Sequence, residues 1–210
     1  MIRLGFWAVC CAACLSAGPS WAQRSFWENG DFLRPQPKAG SFLVIDTGER
    51  YGTWRVVGAS GNVEWISGAY KHDGFQFLAQ GATPTMNTWV NLAGLSQSAT
   101  GIAHEPVPTT VGSSYTLTFY VGNIYDPGGP YGTSSKVAVY ENSTLLGTYT
   151  NGSGQGSTAE NWQLFTVTFN ADAPYTTIAF INGDAPGDLN CGIDNINFEP
   201  TALAAARRQR

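Results

Sequence analysis

Two histidines each stand directly before an acid, His72 before Asp73 and His104 before Glu105, and Cys191 lies close to Asp194 in "DLNCGIDNINFEP". Residues of these types can transfer protons, attack carbonyls or hold metals. Their spacing argues against the first two. Adjacent residues in a strand point to opposite faces, so neither histidine is expected to form a dyad with the acid that follows it. No Gly-x-Ser-x-Gly elbow and no His-Glu-x-x-His helix motif occurs, and "HEPV" at His104 runs into a proline. A glycosidase needs two carboxylates about 5 to 10 Å apart in a cleft. Glu64, Asp73 and Glu105 form the pool, and nothing in their spacing brings two together. Catalysis is therefore not expected, and a polysaccharide hydrolase is the least favoured reading.

Sugar binding asks for different residues: aromatic faces for C–H patches and a few planar polar groups for hydroxyls. The chain has 7 Trp and 9 Tyr. Trp89 and Asn91 alternate with Val90 and Leu92, and Tyr120 alternates with Phe119, so all three are expected on the face away from the core. Tyr125 and Tyr131 fall in a Gly- and Pro-rich loop, where ligand contacts are often placed. Glu64 lies opposite the Val63 and Trp65 face of "NVEWI". These six residues are the candidate ligand set, with ordinary surface positions as the bland alternative. Trp54 and Trp162 are assigned to the core.

The elements that must carry these residues are strands. "SYTLTFYVG" places Tyr115, Leu117, Phe119 and Val121 on one face, and "WQLFTVTFN" does the same with Phe165, Val167 and Phe169. Val137 and Val139, then Ile178 and Phe180, repeat the pattern, and the last run offers Ile193, Ile196 and Phe198. About nine such strands between turns such as "DPGGPYGTS" read as an all-β sandwich over residues 23–200. The tail at 201–210, "TALAAARRQR", is expected to be a disordered basic terminus.

Residues 1–22 have Arg3, an apolar run from Leu4 to Leu15, and small residues at Ser20 and Ala22, the pattern of a signal peptide cleaved after Ala22. The run is shorter than the roughly 20 residues that span a bilayer, so export without a membrane span is expected. Three of the 4 cysteines leave with that segment, and Cys191 then has no internal partner for a disulfide. The formal net charge of −4 argues against a nucleic-acid partner. "NST" at Asn142 and "NGS" at Asn151 match the glycosylation sequon, and neither is expected to be modified.

Several pieces, in order, resemble the domain-of-unknown-function 642 family: "ENGDF", "GTWRVVGASGNVEWISG", "WVNLAG", "VGSSYTLTFYVG", "ENWQLFTVTFNA" and "NCGIDNINF". The resemblance spans roughly residues 28 to 199. It implies a single galactose-binding-like jelly-roll sandwich, secreted and cell-wall-associated, that binds polysaccharide or a cell-surface glycan without altering it. A structural or adhesive envelope protein that binds another protein is the alternative.

The family's cysteine before the last strand pairs with one in the loop after "YTLTF", and that loop here, "VGNIYDPGG", has none. Cys191 should be a free thiol. The resemblance also points to a structural calcium held by Asp31 and Asp194, but Leu33 stands where the family carries a glutamate. The competing reading makes Asp194 an acceptor of backbone hydrogen bonds at a strand end.

Overall fold

The computed structural model describes residues 27–58, 60–81, 87–95 and 99–207. The expected signal segment, 1–22, lies outside these. The chain enters through β1 (Phe42–Asp46), β2 (Arg50–Tyr51), β3 (Trp54–Gly58) and β4 (Asn62–Ser67). A hairpin of β5 (Tyr70–His72) and β6 (Phe75–Phe77) precedes β7 (Thr88–Asn91), β8 (Thr100–His104) and β9 (Val107–Pro108). The second half holds β10 (Ser114–Asn123), β11 (Ser135–Glu141), β12 (Thr144–Asn151) and β13 (Asn161–Asn170). It closes with β14 (Tyr175–Thr176), β15 (Ile178–Asn182), β16 (Gly192–Pro200) and a short helix, α1 (Thr201–Arg207).

Twelve of these strands are organised as two six-stranded antiparallel sheets, in the orders β1-β4-β7-β16-β10-β13 and β12-β11-β15-β8-β3-β2. The all-β sandwich read from the sequence is the observed fold. The core between the sheets is built from the alternating residues: Leu117, Phe119 and Val121 from one sheet meet Val137, Val139, Ile178 and Phe180 from the other, all fully buried. Trp54 belongs to this core. Burying an aliphatic or Phe side chain contributes about 1.5 to 3 kcal/mol, so this cluster is the main stabilising element.

The last strand solves a pattern problem in its own sequence. Ile193, Ile196 and Phe198 cannot share a face of a regular strand, because 193 and 196 are an odd number of residues apart. Asn195 takes φ of 46° and forms a bulge: Tyr120 pairs with Asp194, whereas Thr118 pairs with Asn197. One extra residue on β16 brings all three apolar side chains inward. Asparagine tolerates this backbone better than a branched residue does.

The terminus differs from expectation. Thr201–Arg207 is helical, not frayed. Its alanines favour helix, Ala204 is buried, and the Thr201 hydroxyl bonds to those of Ser114 and Thr116 at 2.9 and 3.0 Å.

A second difference decides where a site can form. The outer face of the β1–β13 sheet is partly roofed. Asp73 and Gly74 both have positive φ, 48° and 82°, and make a two-residue turn that folds β5 onto β6. The hairpin and neighbouring segments cover a second apolar cluster of Ile66, Phe77, Ala79, Trp89, Ile124 and Tyr131. Backbone bonds from Gln76 to Thr158 and from Glu160 back to Gln76 pin the roof in place.

Candidate ligand-binding site

Between this roof and the sheet lies a cavity of about 260 Å³. Its floor comes from β4 and β7, where Glu64 and Ile66 project away from the main core and Asn91 stands directly beside Glu64 in the strand register. Its walls come from Phe42 on β1, Tyr70, His72 and Phe77 on the hairpin, and Tyr131 and Leu189 on loops.

Asn91 is saturated with partners. Its Nδ2 donates to Glu64 Oε2 at 2.8 Å and to the Leu189 carbonyl at 2.9 Å, and its Oδ1 accepts the N–H groups of Ala93 and Cys191 at 3.1 and 3.0 Å. Glu64 is only 8% exposed. Burial raises its carboxyl pKa above the ordinary range, opposed by the Asn91 bond and by His72. Tyr131 OH and His72 Nδ1 are 2.5 Å apart, and the same nitrogen is 3.3 Å from Asp73 Oδ2. Burial raises the Tyr131 pKa, so the phenol keeps its proton. The cavity therefore presents aromatic walls, one carboxyl, one phenol and one imidazole, and the Asn91 amide holds the carboxyl in place.

The six candidate residues separate into three groups. Glu64, Asn91 and Tyr131 converge on the cavity. Trp89 does lie opposite Val90 and Leu92, but it is fully buried: it stacks on Phe77 at 6.2 Å and donates from Nε1 to the Phe77 carbonyl. The hairpin has taken the face it would have offered a ligand. Tyr120 and Tyr125 are half-buried and do not line the cavity. Trp162, expected in the core, packs partly buried on the second cluster, with its Nε1 bonded to the Leu78 carbonyl at 2.8 Å.

The expectation that His72 and Asp73 do not meet is corrected as well. Asp73 has left the strand for the turn, so the rule of opposite faces does not govern it. His104 follows the expectation: its Nδ1 meets the backbone carbonyl of Glu105 at 2.7 Å, and the Glu105 side chain pairs with Arg50. Sequence reasoning missed Tyr70, His72, Phe77 and Phe42 as cavity residues. The available signal was Asp73-Gly74 between two short aromatic alternations.

A family model described as a protein of unknown function, DUF642, matches residues 25–199. The chain belongs to the DUF642 family. No curated protein matches it significantly. Among solved structures it is similar to a cyclase from Fischerella sp. TAU, at 20% identity and a TM-score of 0.51, over 82% of this chain and 95% of that one. It is also similar to a Stig cyclase, Fisc, from the same organism, in complex with an indole compound, at 20% identity and a TM-score of 0.50. That match covers 82% of this chain and 96% of the cyclase. At such identity the likeness shows the fold alone.

In this DUF642 domain Cys191 is a free, fully buried thiol. Its Sγ lies 3.3 Å from the Lys136 carbonyl, and burial together with Asp184 and Asp188 pushes its pKa well up. That environment is the opposite of the one that activates a thiol. Asp194 is 2% exposed and accepts backbone N–H groups on both oxygens, from Gln80 at 2.9 Å and Asn195 at 2.7 Å. Burial raises its pKa to about 8.

Asp31 is exposed nearby, and the Asn29 side-chain oxygen is already bonded to the Arg34 N–H. Calcium takes six to eight oxygens, and the Asn29 side-chain oxygen and both Asp194 oxygens already accept hydrogen bonds. Among the described residues, no group of three or more His, Cys, Asp or Glu is placed to hold a metal ion. Asn151, one of the two sequon residues, is fully buried, and its Nδ2 bonds to the carbonyls of Val121 and Asn161. No helix among the described residues is long and apolar enough to cross a membrane.

Proposed function

We propose that this protein is an exported, non-catalytic binder of cell-wall or extracellular polysaccharide, and that the cavity beneath the β5–β6 hairpin is its site. The observation that carries this reading is the convergence of Glu64, Asn91 and Tyr131 on one aromatic-walled cavity. Apolar rings take the C–H faces of a sugar, and a few fixed polar groups take its hydroxyls. At about 260 Å³ the cavity suits one or two sugar units of a chain, because it is smaller than the roughly 300 to 1,000 Å³ of drug-sized sites.

The test is retention on a panel of plant and microbial polysaccharides, repeated with Tyr70→Ala. Retention that Tyr70→Ala abolishes supports the reading, and no retention on any of them sinks it.

One observation favours a second reading. Glu64, His72, Asp73 and Tyr131 together form a set able to move protons. Release of new reducing ends from labelled polysaccharide would make the protein an enzyme. A concave site, in place of a flat exposed aromatic patch, favours a glycan over a protein partner.

A further inference from the structure

We propose that the cavity selects amine-bearing sugar units, 2-amino-2-deoxy residues carrying a free ammonium, over neutral and acidic ones. The inference rests on the polysaccharide reading of the same site. It follows from which charges line the cavity and which hydrogen bonds are already made there.

Among the described residues, Glu64 is the one carboxylate that lines the cavity. Its Oε2 accepts from Asn91, and its Oε1 has no hydrogen-bond partner among the described residues. A carboxylate this deeply buried gains most from a donor that carries positive charge. Among the described residues, no Lys or Arg lines the cavity. Among the described residues that line the cavity, the one able to become cationic, His72, already turns Nδ1 toward Tyr131 OH and Asp73. A uronate would therefore find no cationic partner of its own and would stand against Glu64. An ammonium would pair with Oε1, and the aromatic walls of Tyr70, Phe77 and Tyr131 add ring faces that attract cations.

The surrounding charges act in the same direction. Burial first, and then the carboxylates of Asp73, Asp126 and Glu64, push the Tyr131 phenol toward its neutral form, and burial followed by Glu64 and Asp73 does the same to Tyr70. The site is thus net acidic around an apolar hollow. An N-acetylated sugar offers the same ring without the charge, so acetylation isolates the proposed contact. The neutral hydroxyls of other sugars can reach Oε1 too, but they bring no positive charge to pair with the carboxylate.

The experiment is calorimetric titration of the purified protein with a glucosamine tetramer and with its N-acetylated counterpart, on wild type and Glu64→Gln. The expected result is a preference for the free amine of at least about tenfold near neutral pH, reduced to near parity by Glu64→Gln. Should that variant fail to fold, wild type alone supplies a second readout. The preference should vanish in acid as Glu64 takes up its proton, because burial holds its pKa above the ordinary carboxylate range. Equal binding of the two tetramers, or a preference that survives unchanged in acid, overturns the inference and leaves polysaccharide binding standing. Absence of binding to these and to every neutral and acidic polysaccharide overturns the broader reading as well.

Discussion

Glu64 and Asn91 stand side by side on β4 and β7, joined by a 2.8 Å bond from the Asn91 amide to the Glu64 carboxylate. The same amide's oxygen accepts the Cys191 N–H, so the floor of the cavity is tied to the strand that closes the sandwich. The site and the fold share one side chain.

Replacing Asn91 by Leu should accordingly cost stability as well as function. It strands the Ala93 and Cys191 N–H groups and leaves Glu64 without its partner. Chemical denaturation should show a loss of about 2 to 4 kcal/mol, the cost of several unmade buried bonds. Asn91→Asp should be destabilised at neutral pH and recover on acidification, since protonation removes one of two neighbouring charges.

Trp89→Ala separates support from recognition. The ring is fully buried against Phe77 and Trp162, so its removal should lower unfolding stability by about 3 to 5 kcal/mol. Tyr70→Ala, on the half-buried hairpin, should lower ligand affinity more than stability. Comparing unfolding midpoints with binding constants for the two variants checks the distinction.

The buried acids set a pH dependence of stability. Glu160 and Asp194 both have pKa values raised to about 8, chiefly by burial. The folded state then holds protons that the unfolded chain releases near pH 4, so stability is greatest in acid and falls as pH rises toward 8. Glu160 Oε1 has no hydrogen-bond partner among the described residues, and Oε2 accepts from Asn190 at 3.1 Å. Glu160→Gln keeps that acceptor without the charge. It should flatten the profile and stabilise the protein at pH 8 by about 1 to 3 kcal/mol, measured by denaturation at a series of pH values.

Calcium is separable by titration. With Asp194 occupied by two N–H groups, adding calcium or a chelator should leave the thermal midpoint unchanged. A calcium-dependent rise that Asp31→Ala removes would restore the ion to the account.

What the sequence made legible follows from its periodicity. Leu117, Phe119, Val137 and Phe180 lie where period-two alternation puts them, because each sheet has one face on a common core. The bulge at Asn195 was foreshadowed by the odd spacing of Ile193 and Ile196, although alternation alone does not say which residue is extra. Trp89 shows where local pattern stops. Its facing was readable, but its burial depended on a hairpin of two three-residue strands, too short to register as periodic. His72 and Asp73 show the same limit: one turn residue with positive φ undoes the rule of alternating faces. Glu64, Asn91 and Tyr131 could be named one by one, but only the fold could gather them.

Backbone amide shift mapping shows whether a saccharide occupies the cavity under the hairpin. On addition of a retained oligosaccharide, the account predicts perturbations clustered at Glu64, His72, Asn91 and Tyr131. Perturbations centred on Tyr120 and Tyr125, with the cavity amides unmoved, would contradict it.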